Sequence, residues 1–193
     1  MTLISDELRL VYVHVPKTAG TSVKAALAAV DSTERWLPTD PANKHLSARQ
    51  VRERCRLPHS YVWCATVRSP FEQLVSFWTY KMENPFHPDY AHLAGFGTFD
   101  RWVRWLAGRG WSRQCAFTHD RDGRPIVDAL LRHERLADDW AALAERIGST
   151  STLPRKNTSG HSEIGDYYDD ALRDFVVEHW ADDFDRLGYP TAL

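Results

Sequence analysis

Lys17 sits in the run Pro16-Lys17-Thr18-Ala19-Gly20-Thr21-Ser22, where a cationic side chain is followed by a glycine and two hydroxyl residues. The run follows an apolar stretch and precedes a helical one. The free N–H groups and the dipole at such a helix start invite an anion, and Lys17 adds a full positive charge beside them. The nucleoside-triphosphate version of this device places Lys and Ser/Thr directly after its last Gly, whereas here Lys17 precedes Gly20. A second group is Arg68-Ser69-Pro70 with Ser76. Ser76 lies two helical turns beyond Ser69 on nearly the same face, about 10 Å along the axis, so Arg68 and Ser76 can meet one ligand. His45, in Lys44-His45-Leu46-Ser47, leads into a helix, where a side chain is held without being buried.

Two apolar strands must position these residues. Leu10 to Val15 is almost unbroken apolar and β-branched, as a strand covered on both faces requires. Pro16 ends it, Gly20 permits a tight loop, Thr21 and Ser22 offer hydroxyls at the helix start, and Val23, Leu27 and Val30 mark the helix face. Tyr61 to Val67 is the second strand. Ser69 as N-cap, Pro70 at the first position and Glu72 in a capping box then start a helix through Phe71, Leu74, Val75 and Trp78. Arg68 therefore stands at a carboxyl strand end, where ligands of open parallel sheets bind.

The rest of the chain reads in simpler terms. Asp31 to Asn43 is a loop, and Ser47 with Gln50 makes a capping box for a helix through about Cys55. Asn84 to Gly97 is a long loop of the kind that carries binding residues. Phe99, Trp102, Val103 and Leu106 give a helix whose aromatic face packs on the core, and Arg109 to Gln114 is a further loop. Asp122-Gly123 signals a hairpin between Cys115–Phe117 and Pro125–Val127. A strand within Val127 to Arg135 leads to a helix with Trp140, Leu143, Ala144 and Ile147 inward and Gly148 closing it. Ser149 to Gly165 is a Ser/Thr-rich loop, and Tyr167 to Leu187 is a last helix stopped by Gly188 and Pro190.

With 193 residues the chain reads as one domain, 1–193, large enough for a substantial core. A formal charge of -2 argues against a general polyanion binder, so no nucleic-acid partner is expected. The three cysteines are widely spaced and none pairs at metal-ligand spacing, so no metal site is read and a reducing compartment fits. The N-terminus is acidic with no apolar signal region, and no segment approaches membrane-spanning length; a cytoplasmic location is the expectation.

The run 16–22 closely resembles the 5′-phosphosulfate loop of sulfotransferases that use 3′-phosphoadenosine 5′-phosphosulfate (PAPS), in the branch related to the carbohydrate sulfotransferases (sulfotransferase family 2). The resemblance covers most of the chain and is densest from Val11 to Ser76. It implies an α/β, P-loop-like three-layer fold with a central mostly parallel sheet flanked by helices. It also implies that the amides of Thr18, Ala19, Gly20, Thr21 and Ser22 hold the phosphosulfate and that Lys17 meets charge on the leaving group. Arg68 and Ser76 would hold the 3′-phosphate, the Arg through paired bonds to phosphate oxygens. His45 takes the place of the base that activates the acceptor hydroxyl. Arg155 and Lys156 match a late basic loop over the nucleotide, and Arg132-His133-Glu134-Arg135-Leu136 matches a structural Arg-x-Glu-x-Leu segment. The activity implied is sulfuryl transfer to a hydroxyl, of a glycan, a lipid-linked sugar, a small alcohol or another metabolite, leaving 3′-phosphoadenosine 5′-phosphate (PAP). A non-catalytic PAPS- or PAP-binding module and a nucleotide-dependent kinase on the same strand–loop–helix unit are the alternatives.

Overall fold

The computed structural model describes residues 2–30, the backbone of 35–36, and residues 45–109, 113–154 and 163–193. Along the chain come β1 (Leu3–Ser5), β2 (Leu10–Val13), α1 (Gly20–Ala28), β3 (Arg35–Trp36), α2 (Ala48–Arg54), β4 (Val62–Val67) and α3 (Pro70–Met82). Then follow α4 (Tyr90–Ala94), α5 (Phe99–Gly108), α6 (Cys115–Thr118), β5 (Ala129–Arg132), α7 (Leu136–Arg146), α8 (Asp170–His179) and α9 (Ala181–Leu187). Single turns of 3-10 helix stand at His133–Arg135 and Ile164–Tyr167. The chain divides into two compact units, Met1–Arg68 with Gln114–Asn157, and Ser69–Arg113 with Thr158–Leu193.

The first unit holds the sheet, in the order β3-β1-β2-β4-β5. β3 is antiparallel to β1 and β1 to β2, while β2, β4 and β5 pair in parallel, so β1 alone runs against the rest. The fold is thus α/β with a mostly parallel sheet, as the sequence implied. Strand alternation sends Leu10 and Tyr12 to one face and Val11 and Val13 to the other. On the first face α1 (Val23, Ala26, Leu27) and α7 (Trp140, Leu143, Ala144) cover Leu3, Leu10, Tyr12, Cys64 and Leu131. On the second, α2 (Ala48, Val51) and Phe117 of α6 cover Ile4, Val11, Val13, Trp63 and Ala65. The unbroken apolar strands are explained by this double cover, each buried Leu or Val contributing about 1.5–3 kcal/mol. Cys64, wholly buried in this core, has its thiol pushed up by desolvation and is structural.

Both ends of β4 are closed by side chains from elsewhere in the unit. At the amino end the Trp63 N–H donates to Asp128 Oδ2 at 2.7 Å, and the Asp128 N–H returns a bond to the Trp63 carbonyl at 2.7 Å. At the carboxyl end the Arg68 N–H donates to Gln114 Oε1 at 2.9 Å, and Gln114 Nε2 donates to the Arg68 carbonyl at 2.6 Å. Gln114 is fully buried, so this amide extends the pairing one residue beyond Val67, the last residue of β4 paired with β5.

The second unit is helical around an aromatic core. Phe71 meets Tyr168 at 5.1 Å and Phe184 at 5.0 Å between ring centroids, and Tyr168 Oη donates to the Phe71 carbonyl at 2.9 Å. Trp102 lies 5.5 Å from Trp78 and 5.8 Å from Phe99. The expected core role of the aromatic face of α5 is what this unit displays, with Phe99, Trp102, Val103 and Leu106 all buried.

Several local expectations need correction. Cys115–Phe117 belongs to a helical turn, closed by the His119 N–H on the Cys115 carbonyl, and the hairpin shrinks to one bridge between His119 and Pro125. A short apolar run reads equally as strand or buried helix, which is why the sequence misled. The last helix is two, broken at Trp180 (φ -113°, ψ 23°), whose N–H ends α8 on the Val176 carbonyl while its carbonyl starts α9. Ser69 and Pro70 take the expected cap and first positions, yet Ser69 makes no side-chain cap bond. The helix after the anion loop starts at Gly20, with Ala19 as its cap, ahead of the hydroxyl residues. The loop 84–97 contains α4.

Candidate active site

The anion loop is bent by backbone conformations that side chains disfavour. Lys17 (φ 63°) and Ala19 (φ 68°) are both left-handed, while Thr18 between them is not. Each left-handed non-glycine residue costs about 1–3 kcal/mol and persists only where its surroundings determine it. Successive N–H groups of a backbone that turns through left-handed residues form the kind of concavity that receives anions.

Thr18 supplies the determination. Its hydroxyl lies 2.9 Å from the Val15 carbonyl and 2.7 Å from Thr66 Oγ1, which in turn lies 2.7 Å from the Tyr12 hydroxyl. A carbonyl only accepts and each hydroxyl has one proton, so the order of donation is fixed: Tyr12 to Thr66, Thr66 to Thr18, Thr18 to Val15. All three hydroxyl residues are buried, and desolvation raises the Tyr12 phenol well above its ordinary value, so it keeps its proton. Thr18 is thus anchored across β2 and β4, and the backbone on either side of it is forced to turn.

Helix α1 opens without a side-chain cap and with no acidic residue in its first turn. The Ser22 N–H donates to the Ala19 carbonyl at 3.0 Å, which withdraws that amide from the five expected to meet an anion. Thr21 is exposed, Ser22 is buried, and Lys17 is half-buried.

His45 is held from several sides. Leu46 is buried in the second-face core, and the Thr2 hydroxyl donates to its carbonyl at 3.0 Å. Ser47 and Gln50 form the expected capping box, with bonds of 3.3 and 2.9 Å. The His45 ring reaches the His14 carbonyl through Nδ1 at 3.1 Å. Because a carbonyl only accepts, Nδ1 carries the proton, and the neutral ring keeps its lone pair on Nε2. The His14 and His45 rings meet edge to face at 4.6 Å, 78°. Burial, then neighbouring positive charge, that of His45 when it is protonated and those of Lys24 and Lys17, lowers the His14 pKa to about 3, so this ring is neutral.

Arg68 is buried at the end of β4, its peptide bracketed by Gln114. β2 and β4 are adjacent and parallel with Val13 paired to Ala65, so Lys17 and Arg68 follow the carboxyl ends of neighbouring strands. The structure therefore gathers the loop 16–22, His45 and Arg68 at one end of one sheet. Ser76 belongs to the other unit, buried on α3, and Arg155 and Lys156 lie outside the described residues. A cavity of about 400 Å³ lined by Arg52, Cys55, Arg56, His59 and Tyr61 opens instead at the amino end of β4. Sequence reasoning missed Tyr12, His14, Thr66 and Gln114. Tyr12 and Thr66 left a signal as polar groups inside strands buried on both faces; Gln114 left none.

No curated protein and no solved structure gives a significant match to the chain. A family model described as Sulfotransferase family matches residues 1–190, nearly the whole chain. The loop, the paired strand ends and the adjoining histidine thus stand in a chain that belongs to the sulfotransferase family, in its family 2 branch.

Proposed function

We propose that the protein transfers the sulfuryl group of PAPS to the hydroxyl of an acceptor, a carbohydrate or small alcohol, with His45 as base. The observation that carries the reading is the placement of Lys17 and Arg68 after adjacent parallel strands, with His45 bonded to the same strand end. Adjacent strands run about 4.8 Å apart, a separation one nucleotide spans. Loop amides from Thr18 to Thr21 would receive the 5′-phosphosulfate, and Arg68 the 3′-phosphate through its planar fork. The part of Ser76 in holding the 3′-phosphate rests on sequence resemblance.

In the reaction the acceptor oxygen bonds to sulfur as the bond from sulfur to the 5′-phosphate oxygen breaks. The acceptor proton passes to His45 Nε2, the nitrogen left as acceptor by the bond at Nδ1. Charge grows on the departing phosphate oxygen, and Lys17 answers it there. Positioning and electrostatics supply the rate, as in phosphoryl transfer. A lone pair held toward one side of a fixed imidazole favours an enzyme over a passive nucleotide-binding module, which needs no base.

The test is calorimetry with PAP and with ATP, followed by transfer of label from radioactive PAPS into extracts of the source organism. PAP binding in preference to ATP together with a labelled product is expected. PAP binding without transfer under any acceptor would leave the binding module standing, and ATP preference would overturn the donor assignment.

A further inference from the structure

Gly20 opens α1 with no positive φ, so its backbone conformation does not itself demand glycine. The demand comes from a neighbour. A Cβ at this position would lie 2.1 Å from His14 Nε2 and 2.3 Å from His14 Cδ2, far inside contact distance. The His14 ring has little room to retreat, since Tyr12 stacks on one side at 6.1 Å, 23°, and His45 meets it at 4.6 Å. The same residue offers its carbonyl to His45 Nδ1. One residue therefore touches the start of the anion-loop helix with its ring and the candidate base with both ring and backbone.

We propose that His14 is a positioning residue that sets the anion loop and the base at a fixed spacing, its ring seated in the space that Gly20 leaves and its carbonyl holding His45. The inference rests on the sulfuryl-transfer reading above. A neutral ring suits the role, because it adds no repulsion toward Lys17 or toward His45 once that ring has taken a proton.

The experiment is a cycle of His14→Ala, Gly20→Ala and the double variant, reading PAP affinity by calorimetry, steady-state transfer from labelled PAPS and thermal melting. Gly20→Ala is expected to weaken PAP binding by about 10-fold or more, because the new methyl must displace the ring or the helix start. His14→Ala is expected to keep PAP affinity within about 3-fold and lower kcat by about 10-fold with little change in acceptor KM, a split that general loosening would not give. In the double variant the methyl enters the vacated space, and PAP affinity returns to within about 3-fold of His14→Ala. Losses that multiply in the double variant, wild-type PAP affinity in Gly20→Ala, or wild-type kcat in His14→Ala would each overturn the proposal. If Gly20→Ala does not fold, recovery of folding in the double variant supports it and continued failure overturns it. A wild-type protein that neither binds PAP nor transfers label would sink the functional reading, while the melting cycle would still report on the contact between His14 and Gly20.

Discussion

Replacing Thr66 by Val tests the chain of hydroxyls beneath the anion loop. Valine keeps the side-chain shape and removes one oxygen, which accepts from Tyr12 at 2.7 Å and donates to Thr18 at 2.7 Å. The Tyr12 hydroxyl is then a buried donor with no acceptor, costing about 1–3 kcal/mol, and Thr18 loses one bond worth about 1 kcal/mol. The expected destabilisation is about 2–4 kcal/mol, or roughly 5–15 °C in melting temperature for a chain of this size. Urea unfolding followed by tryptophan fluorescence, with the slope compared between variants, measures it. Tyr12→Phe alone should cost only about 1 kcal/mol, because Thr66 still donates to Thr18. Combined with Thr66→Val it removes the stranded donor, so the double variant should be more stable than the sum of the singles by at least about 1 kcal/mol. Turnover should fall about 10-fold or more in Thr66→Val, since the left-handed residues Lys17 and Ala19 flank the loosened Thr18. Additive stabilities, or a Thr66→Val protein within about 0.5 kcal/mol of wild type, would refute the reasoning.

Three further outcomes are expected. Lys17→Ala should lower turnover about 100- to 1000-fold while PAP affinity changes much less, as steady-state transfer and calorimetry would record; unchanged turnover would remove Lys17 from the reaction. Gln114→Ala should cost about 2–4 kcal/mol by removing the hydrogen bonds that the side-chain amide makes to the Arg68 N–H and to the Arg68 carbonyl, and should erode the preference for PAPS over adenosine 5′-phosphosulfate about 10-fold in competition assays. His14 has a folded pKa of about 3 against an ordinary 6.5, so its neutral form contributes stability in full above 6.5 that is lost as pH falls toward 3. The free energy of unfolding should therefore drop below pH 6.5, by about 2 kcal/mol at pH 5, and His14→Asn should flatten that part of the profile.

The parallel strands and the anion loop were legible because their signals are local: an unbroken apolar run, then Pro16 and Gly20 within a few residues. The capping box of Ser47 and Gln50 formed as its spacing required, and it delivered His45 to a defined place. The residues that hold the site in shape were not legible, because their partners are remote. Gln114 acts on Arg68 across 46 positions, and Thr66 on Thr18 across 48. β1 is three residues long, too short to show a period, and the break at Trp180 has neither Pro nor Gly to announce it. The left-handed Ala19 defied its residue type, and it stands next to the buried anchor at Thr18.

The closure of β4 by Asp128 at one end and Gln114 at the other has a consequence for how such a chain can vary. A strand fastened at both extremities cannot slide by a residue when a connecting turn gains or loses length. The height of Arg68 above the sheet is thereby insulated from change in the segments that feed and leave the strand, and the remaining loops are at liberty to drift.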